Sequence, residues 1–189
     1  MMSGSECKIG LNHDRRHPLD ETEPSIVIEP NFAFGTGHHE STRIILHLLE
    51  RSWVEHLRIL DIGCGSGILS FASALLGAES VVGIDNDCEA ILYADKNRVE
   101  YNPGLPIRFE TAEPDRIDWN FEGILMNIIT SGQYPILEKI AQRRWQWLMV
   151  SGILIDEKKE YLEWVAKIGL KPVQEWMENE WIGFILIRN

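Results

Sequence analysis

Arg58 to Asp85 reads R-I-L-D-I-G-C-G-S-G-I-L-S-F-A-S-A-L-L-G-A-E-S-V-V-G-I-D, and its pattern sets the architecture of the chain. Arg58 to Ile62 is short, apolar and rich in branched residues, the composition of a strand buried on both faces. Gly63, Gly65 and Gly67 then alternate through a tight turn, where the missing Cβ atoms let backbone approach a ligand closely. Ser66 to Leu76 has helical spacing, and Gly77 stops it from the C′ position. Ser80 to Ile84 is the second strand, with Asp85 at its C-terminal end. A right-handed βαβ crossover brings both strand ends to one edge of the sheet, so the turn and Asp85 face one crevice. That arrangement is a nucleotide site.

Charge selects the nucleotide. A dinucleotide fingerprint needs a third glycine three residues after the second, and here that position is Ile68. Asp61 stands just before the turn, where it would oppose a pyrophosphate docking at the helix N-terminus. S-adenosylmethionine has no phosphate; it carries a sulfonium and an amino group beside an adenosine. Asp61 suits that cationic end, and Asp85 suits the ribose hydroxyls as a paired acceptor. Glycine turns also occur in α/β folds that bind nothing. The turn together with both acids argues for S-adenosylmethionine as the cofactor.

Composition narrows the class further. A chain of 189 residues suffices for one α/β domain with a sizeable core, and 44% hydrophobic with 25% charged residues is ordinary for a globular protein. The formal net charge of −11 disfavours nonspecific binding to nucleic acid or an anionic membrane and would favour a basic substrate. Cys7, Cys64 and Cys88 are odd in number and scattered, so they form neither a disulfide framework nor a CxxC site. No basic-then-apolar leader or bilayer-length apolar run is present, which reads as a cytoplasmic protein. Nothing in the sequence sets the oligomeric state.

Residues 1–24 are polar and charged with few apolar anchors, an N-terminal arm or pairing segment ahead of a domain spanning 25–189. Ile26 to Ile28 reads as a short strand closed by Pro30. Asn31 to Thr42 (N-F-A-F-G-T-G-H-H-E-S-T) is a loop running into a helix, with Ile44, Ile45, Leu48 and Leu49 at amphipathic spacing. Thr42 lies near that helix start, where a hydroxyl can cap or can donate to a ligand. His39-Glu40 begins an H-E-x-x-H string, but Arg43 occupies the second histidine position and removes the zinc geometry. No metal is expected; His38, His39 and Glu40 read as loop polarity or substrate contacts.

Beyond Asp85, a helix is expected over Cys88 to Glu100 and a strand over Ile107 to Thr111. Phe121 to Asn127 is a further strand ending on a polar side chain, again over the crevice. A helix over Ser131 to Arg143, a strand within Gln146 to Ile155 and a helix over Asp156 to Ile168 follow. Lys171 to Met177 and Trp181 to Arg188 form a terminal hairpin across Glu178-Asn179-Glu180. The order predicts an α/β fold, a Rossmann-like doubly wound, mostly parallel seven-stranded sheet with an antiparallel C-terminal edge hairpin. Trp145, Trp147, Trp164, Trp176 and Trp181 lack interleaved basic residues apart from Arg143 and Arg144, so they read as packing and not as base-stacking platforms.

These blocks resemble the ribosomal protein L-eleven methyltransferases, the PrmA family. The resemblance rests on F-A-F-G-T-G-H-H-E-S-T (Phe32 to Thr42), D-I-G-C-G-S-G-I-L (Asp61 to Leu69), V-G-I-D-N-D (Val82 to Asp87) and N-I-I (Asn127 to Ile129), extended by S-G-I-L (Ser151 to Leu154) and the terminal W-I-G-F-I-L-I-R. It implies an S-adenosylmethionine-dependent methyltransferase whose cofactor contacts fall on Thr42, Gly63, Asp85 and Asn127, with Phe34, Gly37, Gly65 and Asp61 in the matching blocks. It also implies a substrate-recruiting domain ahead of the catalytic one, where this chain has a short arm. His38-His39-Glu40-Ser41-Thr42 stands where the family usually has T-H-P-T-T.

The expected reaction is methyl transfer to a protein amine nitrogen, with a basic ribosomal protein as partner. Asn127 is the candidate catalytic residue: its amide can accept a hydrogen bond from the amine, but it cannot act as a base. Other readings stay open: a small-molecule N- or O-methyltransferase, and a noncatalytic S-adenosylmethionine-binding module. A nicotinamide-dependent oxidoreductase is disfavoured by Asp61 and Ile68.

Overall fold

The computed structural model describes residues 10–12, 25–27, 39–52 and 55–189. The first described elements are two short strands, β1 (Gly10–Asn12) and β2 (Ser25–Val27), paired in parallel. Part of the N-terminal segment is thus a pairing strand. Helix α1 (Glu40–Glu50) comes next, and then β3 (Arg58–Ile62), α2 (Ile68–Leu75), β4 (Ser80–Asp85) and α3 (Cys88–Tyr101). Strands β5 (Ile107–Thr111) and β6 (Gly123–Asn127) lead to α4 (Thr130–Ile140) and β7 (Trp147–Leu154). A 3₁₀ turn (Ile155–Glu157) opens α5 (Lys158–Lys167), and β8 (Leu170–Glu178) with β9 (Trp181–Arg188) completes the order.

The main sheet has seven strands in the order β5-β4-β3-β6-β7-β9-β8. Neighbours from β5 to β7 run parallel, while β9 is antiparallel to both β7 and β8. The expected fold and its reversed edge hairpin are both present. The order reverses between β3 and β6, and this switch point is where a crevice opens at the C-terminal strand ends.

Period-two alternation explains how the sheet buries both faces. Ile59, Val81, Leu125 and Met149 pack on one side with Ile44, Ile45, Leu48 and Leu49 of α1 and Phe71 of α2. Leu60, Ile62, Val82, Ile84, Ile124 and Met126 pack on the other with Leu137 and Ile140 of α4 and Tyr161 and Val165 of α5. Asp61 and Asn127 share the parity of Ile59 and Leu125, so they lie on the α1/α2 side.

Several boundaries differ from the sequence expectation for identifiable reasons. Helix α2 begins at Ile68 and not at Ser66, because Gly67 adopts φ 84°, a left-handed conformation that cannot continue a right-handed helix. Asp156 and Glu157 belong to the 3₁₀ turn instead of the first turn of α5. His39 is the N-cap of α1: its Nδ1 accepts from the Ser41 backbone N–H at 3.3 Å. Thr42 therefore has its hydroxyl available for something other than capping. The tryptophans do pack: Trp145 is buried and donates Nε1–H to the Ile140 carbonyl, and Trp176 stacks on His47. No helix among the described residues is long and apolar enough to cross a membrane.

Candidate active site

The glycine turn is built by backbone. Gly63 and Cys64 N–H both donate to the Ile84 carbonyl, at 2.8 and 3.0 Å, and Gly67 N–H donates to the Cys64 carbonyl at 2.9 Å. Gly63, Gly65 and Gly67 take φ of 70°, 53° and 84°, all in the region where a Cβ is strained. These bonds bind the end of β3 to the end of β4. Asp85 completes the joint: its Oδ2 accepts from Gly65 N–H and its Oδ1 from Asp87 N–H, each at 3.0 Å. A carboxylate oxygen has a second lone pair, so both still have capacity for a hydroxyl donor.

The opposite wall comes from α1, β6 and β9. Thr42 is 2% exposed, and its Oγ1 accepts from Asn127 Nδ2 at 3.1 Å. This bond uses the donor end of the Asn127 amide and leaves its carbonyl oxygen for a ligand. His39 meets Trp181 edge to face, with ring centroids 4.8 Å apart. Ile128 extends the wall, held by Gln133, whose Nε2 donates to the Ile128 carbonyl at 2.7 Å and to the Ser151 carbonyl at 2.9 Å. Tyr161 in turn donates its hydroxyl to Gln133 Oε1 at 2.7 Å. Gly152, at φ 85°, has to be glycine, since a Cβ there would lie 2.4 Å from the Ile128 carbonyl oxygen.

Between these walls lies a cavity of about 510 Å³, within the range of small-molecule and cofactor sites. Thr42, Gly63, Gly65, Asp85 and Asn127 all line it, so five positions singled out in the sequence converge on one space. His39 lines it too, which makes it a wall residue as well as a cap. Glu40 points elsewhere, pairing with Arg43 and accepting from Asn179. Phe34, Gly37 and His38 lie outside the described residues. Sequence reading missed the contributions of Trp181, Ile128, Gly152 and Glu113. The sequence reads Trp181 as packing alone, since nothing local to it signals a wall position.

Asp61 is the exception among the expected contacts: it is not on the cavity wall. It is 1% exposed and accepts from Ser70 Oγ at 2.7 Å through Oδ2, while Oδ1 has no hydrogen-bond partner among the described residues. Burial, reinforced by the charge of Asp85, pushes its carboxyl up to about 7 despite the Ser70 hydrogen bond. Its alternation places it on the α2 side of the sheet, where Ser70 meets it, while Gly63, Cys64 and Gly65 line the cavity.

The residues present fit S-adenosylmethionine. Ile62, Ile84, Ala112 and Pro114 give an apolar stretch suited to a base, and Asp85 stands beside it with lone pairs to spare. Among the described residues the lining holds neither Lys nor Arg, the side chains that a phosphate-bearing cofactor would call for.

Comparison with known proteins agrees with this geometry. The family described as "Ribosomal protein L11 methyltransferase (PrmA)" matches residues 4–189. The ribosomal protein L11 methyltransferase of Enterococcus faecalis is 34% identical over 179 residues, covering 90% of this chain and 55% of that protein. That of Pasteurella multocida is 34% identical over 172 residues, covering 88% and 57%. The chain thus spans about half the length of the curated relatives it matches. Among solved structures, a ribosomal protein L11 methylase from Lactobacillus delbrueckii subsp. bulgaricus superposes with a TM-score of 0.84 at 24% identity, covering 95% of this chain and 93% of that one. Magnesium protoporphyrin IX methyltransferase from Synechocystis PCC 6803, solved with bound SAM, gives 0.66 at 16% identity over 77% of this chain and 76% of its own. These two likenesses concern the fold.

Proposed function

This chain belongs to the ribosomal protein L11 methyltransferase (PrmA) family, and from that premise we propose that it binds S-adenosylmethionine in the cavity and methylates an amine nitrogen of a protein, ribosomal protein L11 first among the acceptors. The observation that carries the reading is the meeting of Asp85, the glycine turn and the Thr42–Asn127 pair around one cavity.

The cofactor supplies a methyl group already activated by a sulfonium, so the protein's task is to position and to exclude water. Asp85 would hold the ribose hydroxyls through the lone pairs left by Gly65 and Asp87. Gly63 and Gly65 present backbone without side chains, which admits the ligand against the turn. Asn127 turns its carbonyl oxygen toward the acceptor because Thr42 holds the amide nitrogen. An amine N–H donating to that oxygen would have its lone pair aimed away from Asn127, free to accept a methyl group. Since an amide cannot take the proton, the amine has to arrive uncharged or lose its proton to water. Ile128 and Trp181 close the apolar side and keep water from competing.

The test uses methyl-labelled S-adenosylmethionine, the purified protein, ribosomal protein L11, and a cell extract separated by size. Label on L11 supports the family acceptor; label on small molecules alone moves the acceptor to a metabolite. Cofactor binding with no labelled product in any pool would refute catalysis in favour of a binding module.

A further inference from the structure

Asp61 is a buried carboxylate with half of its hydrogen-bonding capacity unused. One hydroxyl, from Ser70, reaches Oδ2, and among the described residues nothing reaches Oδ1. Among the described residues, the groups packed around it bring no positive charge. Its cross-strand neighbours are Gly83 on β4 and Leu125 on β6, and α2 presents the Ser70 hydroxyl. The turn contributes Cys64, a thiol kept neutral by burial and then by the charges of Asp61 and Asp85. Asp85, the other charged neighbour among the described residues, repels an ionised Asp61. An ionised carboxylate in such a place lacks a countercharge, and the residues just beyond it, Gly63 to Gly65, form the cavity floor.

We propose that Asp61 is a proton-linked countercharge for the ligand: it stays protonated in the empty site and gives up that proton when a cationic cofactor enters the cavity. The inference rests on the S-adenosylmethionine reading and deepens it. The O–H bond of Asp61 breaks, the proton passes to solvent buffer, and the ionised carboxylate then faces the ligand's cationic end across the turn. A nearby positive charge favours the ionised form, as burial disfavoured it. The carboxyl that titrates near 7 without ligand therefore titrates lower with it. By linkage the direction is fixed: affinity rises with pH through the free-state titration and levels off above it, since no proton then remains to be released.

The experiment is calorimetric titration of the full chain with S-adenosylmethionine at pH 6.0 to 8.0, repeated in buffers of different ionisation enthalpy. Between pH 6 and 7 the affinity should rise by several-fold, with a ceiling of ~10-fold per pH unit, as about one proton at most is released per ligand bound. Asp61→Asn should bind with less release and a flatter profile, the difference isolating Asp61 from every other group. Ser70→Ala removes the hydroxyl that donates to the carboxylate and leaves only the Ser70 backbone N–H, so it should move the rise to higher pH. Binding with no buffer-dependent heat attributable to Asp61 overturns the inference while leaving the cofactor assignment standing. No binding at any pH overturns both.

Discussion

Asn127 Nδ2 donates to Thr42 Oγ1 at 3.1 Å, joining the C-terminal end of β6 to the first turn of α1, two elements 85 residues apart in sequence. The bond fixes which end of the Asn127 amide faces the cavity. Thr42→Val removes the acceptor at nearly constant volume, and the amide can then rotate. Asn127→Ala removes the acceptor oxygen itself and should lower kcat by on the order of 10²-fold, more than it weakens cofactor binding. Thr42→Val should lower kcat less, and adding it to Asn127→Ala should change little further. Full additivity in a double-mutant cycle would separate the two residues.

Asp85 has two tasks in one carboxylate, since it holds Gly65 and Asp87 N–H and faces the cavity. Asp85→Ala should weaken S-adenosylmethionine binding by ~10- to 100-fold, the value of one or two hydrogen bonds to a charged group. Asp85→Asn keeps one acceptor oxygen and should fall between. Calorimetry on the three proteins measures this directly, and unaltered affinity in Asp85→Ala would remove the ribose role.

Gly152 and Gly104 separate steric contact from backbone strain. Both have positive φ, 85° and 89°, but a Cβ at Gly104 meets nothing within 4 Å while one at Gly152 meets the Ile128 carbonyl. Gly104→Ala should cost only the left-handed strain, about 1 kcal/mol. Gly152→Ala adds displacement of Ile128 and should cost about 3 kcal/mol or more, lowering Tm by on the order of 10 °C. Because Ile128 lines the cavity, cofactor affinity should fall as well. Equal melting temperatures for the two variants would contradict the contact.

Much of the framework was legible because its signals are local. The alternation of Ile59 and Asp61 with Leu60 and Ile62, the glycine turn, and the polar terminus of β6 all read out within a few residues. The edge hairpin was equally legible, with its turn at Asn179 (φ 51°). What escaped depends on tertiary placement. The irregularity in β7 between Val150 and Ile153 follows from Gly152 making room for Ile128, a contact that only packing reveals. His39 is a cap as well as a wall residue because β9 brings Trp181 against it. Asp61 was correctly seen as an acid before a glycine turn. Its distance from the cavity surface depends on side-chain direction, and on the Ser70 hydroxyl that α2 brings over it.

Asp61 also makes the stability of the ligand-free protein depend on pH in a direction opposite to most carboxylates. Its folded-state value, about 7, lies above the 3.8 of an ordinary aspartate, so between these limits the folded chain holds a proton that the unfolded chain has lost. The associated stability is fully present below pH 3.8 and is lost as pH rises through about 7. A separation of about 3 pH units corresponds to on the order of 4 kcal/mol. Glu122 acts in the other sense: the Arg58 hydrogen bond holds its carboxyl below the ordinary glutamate value, giving stability that is lost as pH falls. The total profile therefore mixes both signs, and the difference between wild type and Asp61→Asn isolates the first. Asparagine keeps an oxygen for Ser70 and carries no charge, so in denaturant midpoints at matched m-values the variant should gain on the wild type from pH 5 up to about 7 and level off above it. A difference that stays constant across that range would mean that Asp61 does not change charge in the folded protein.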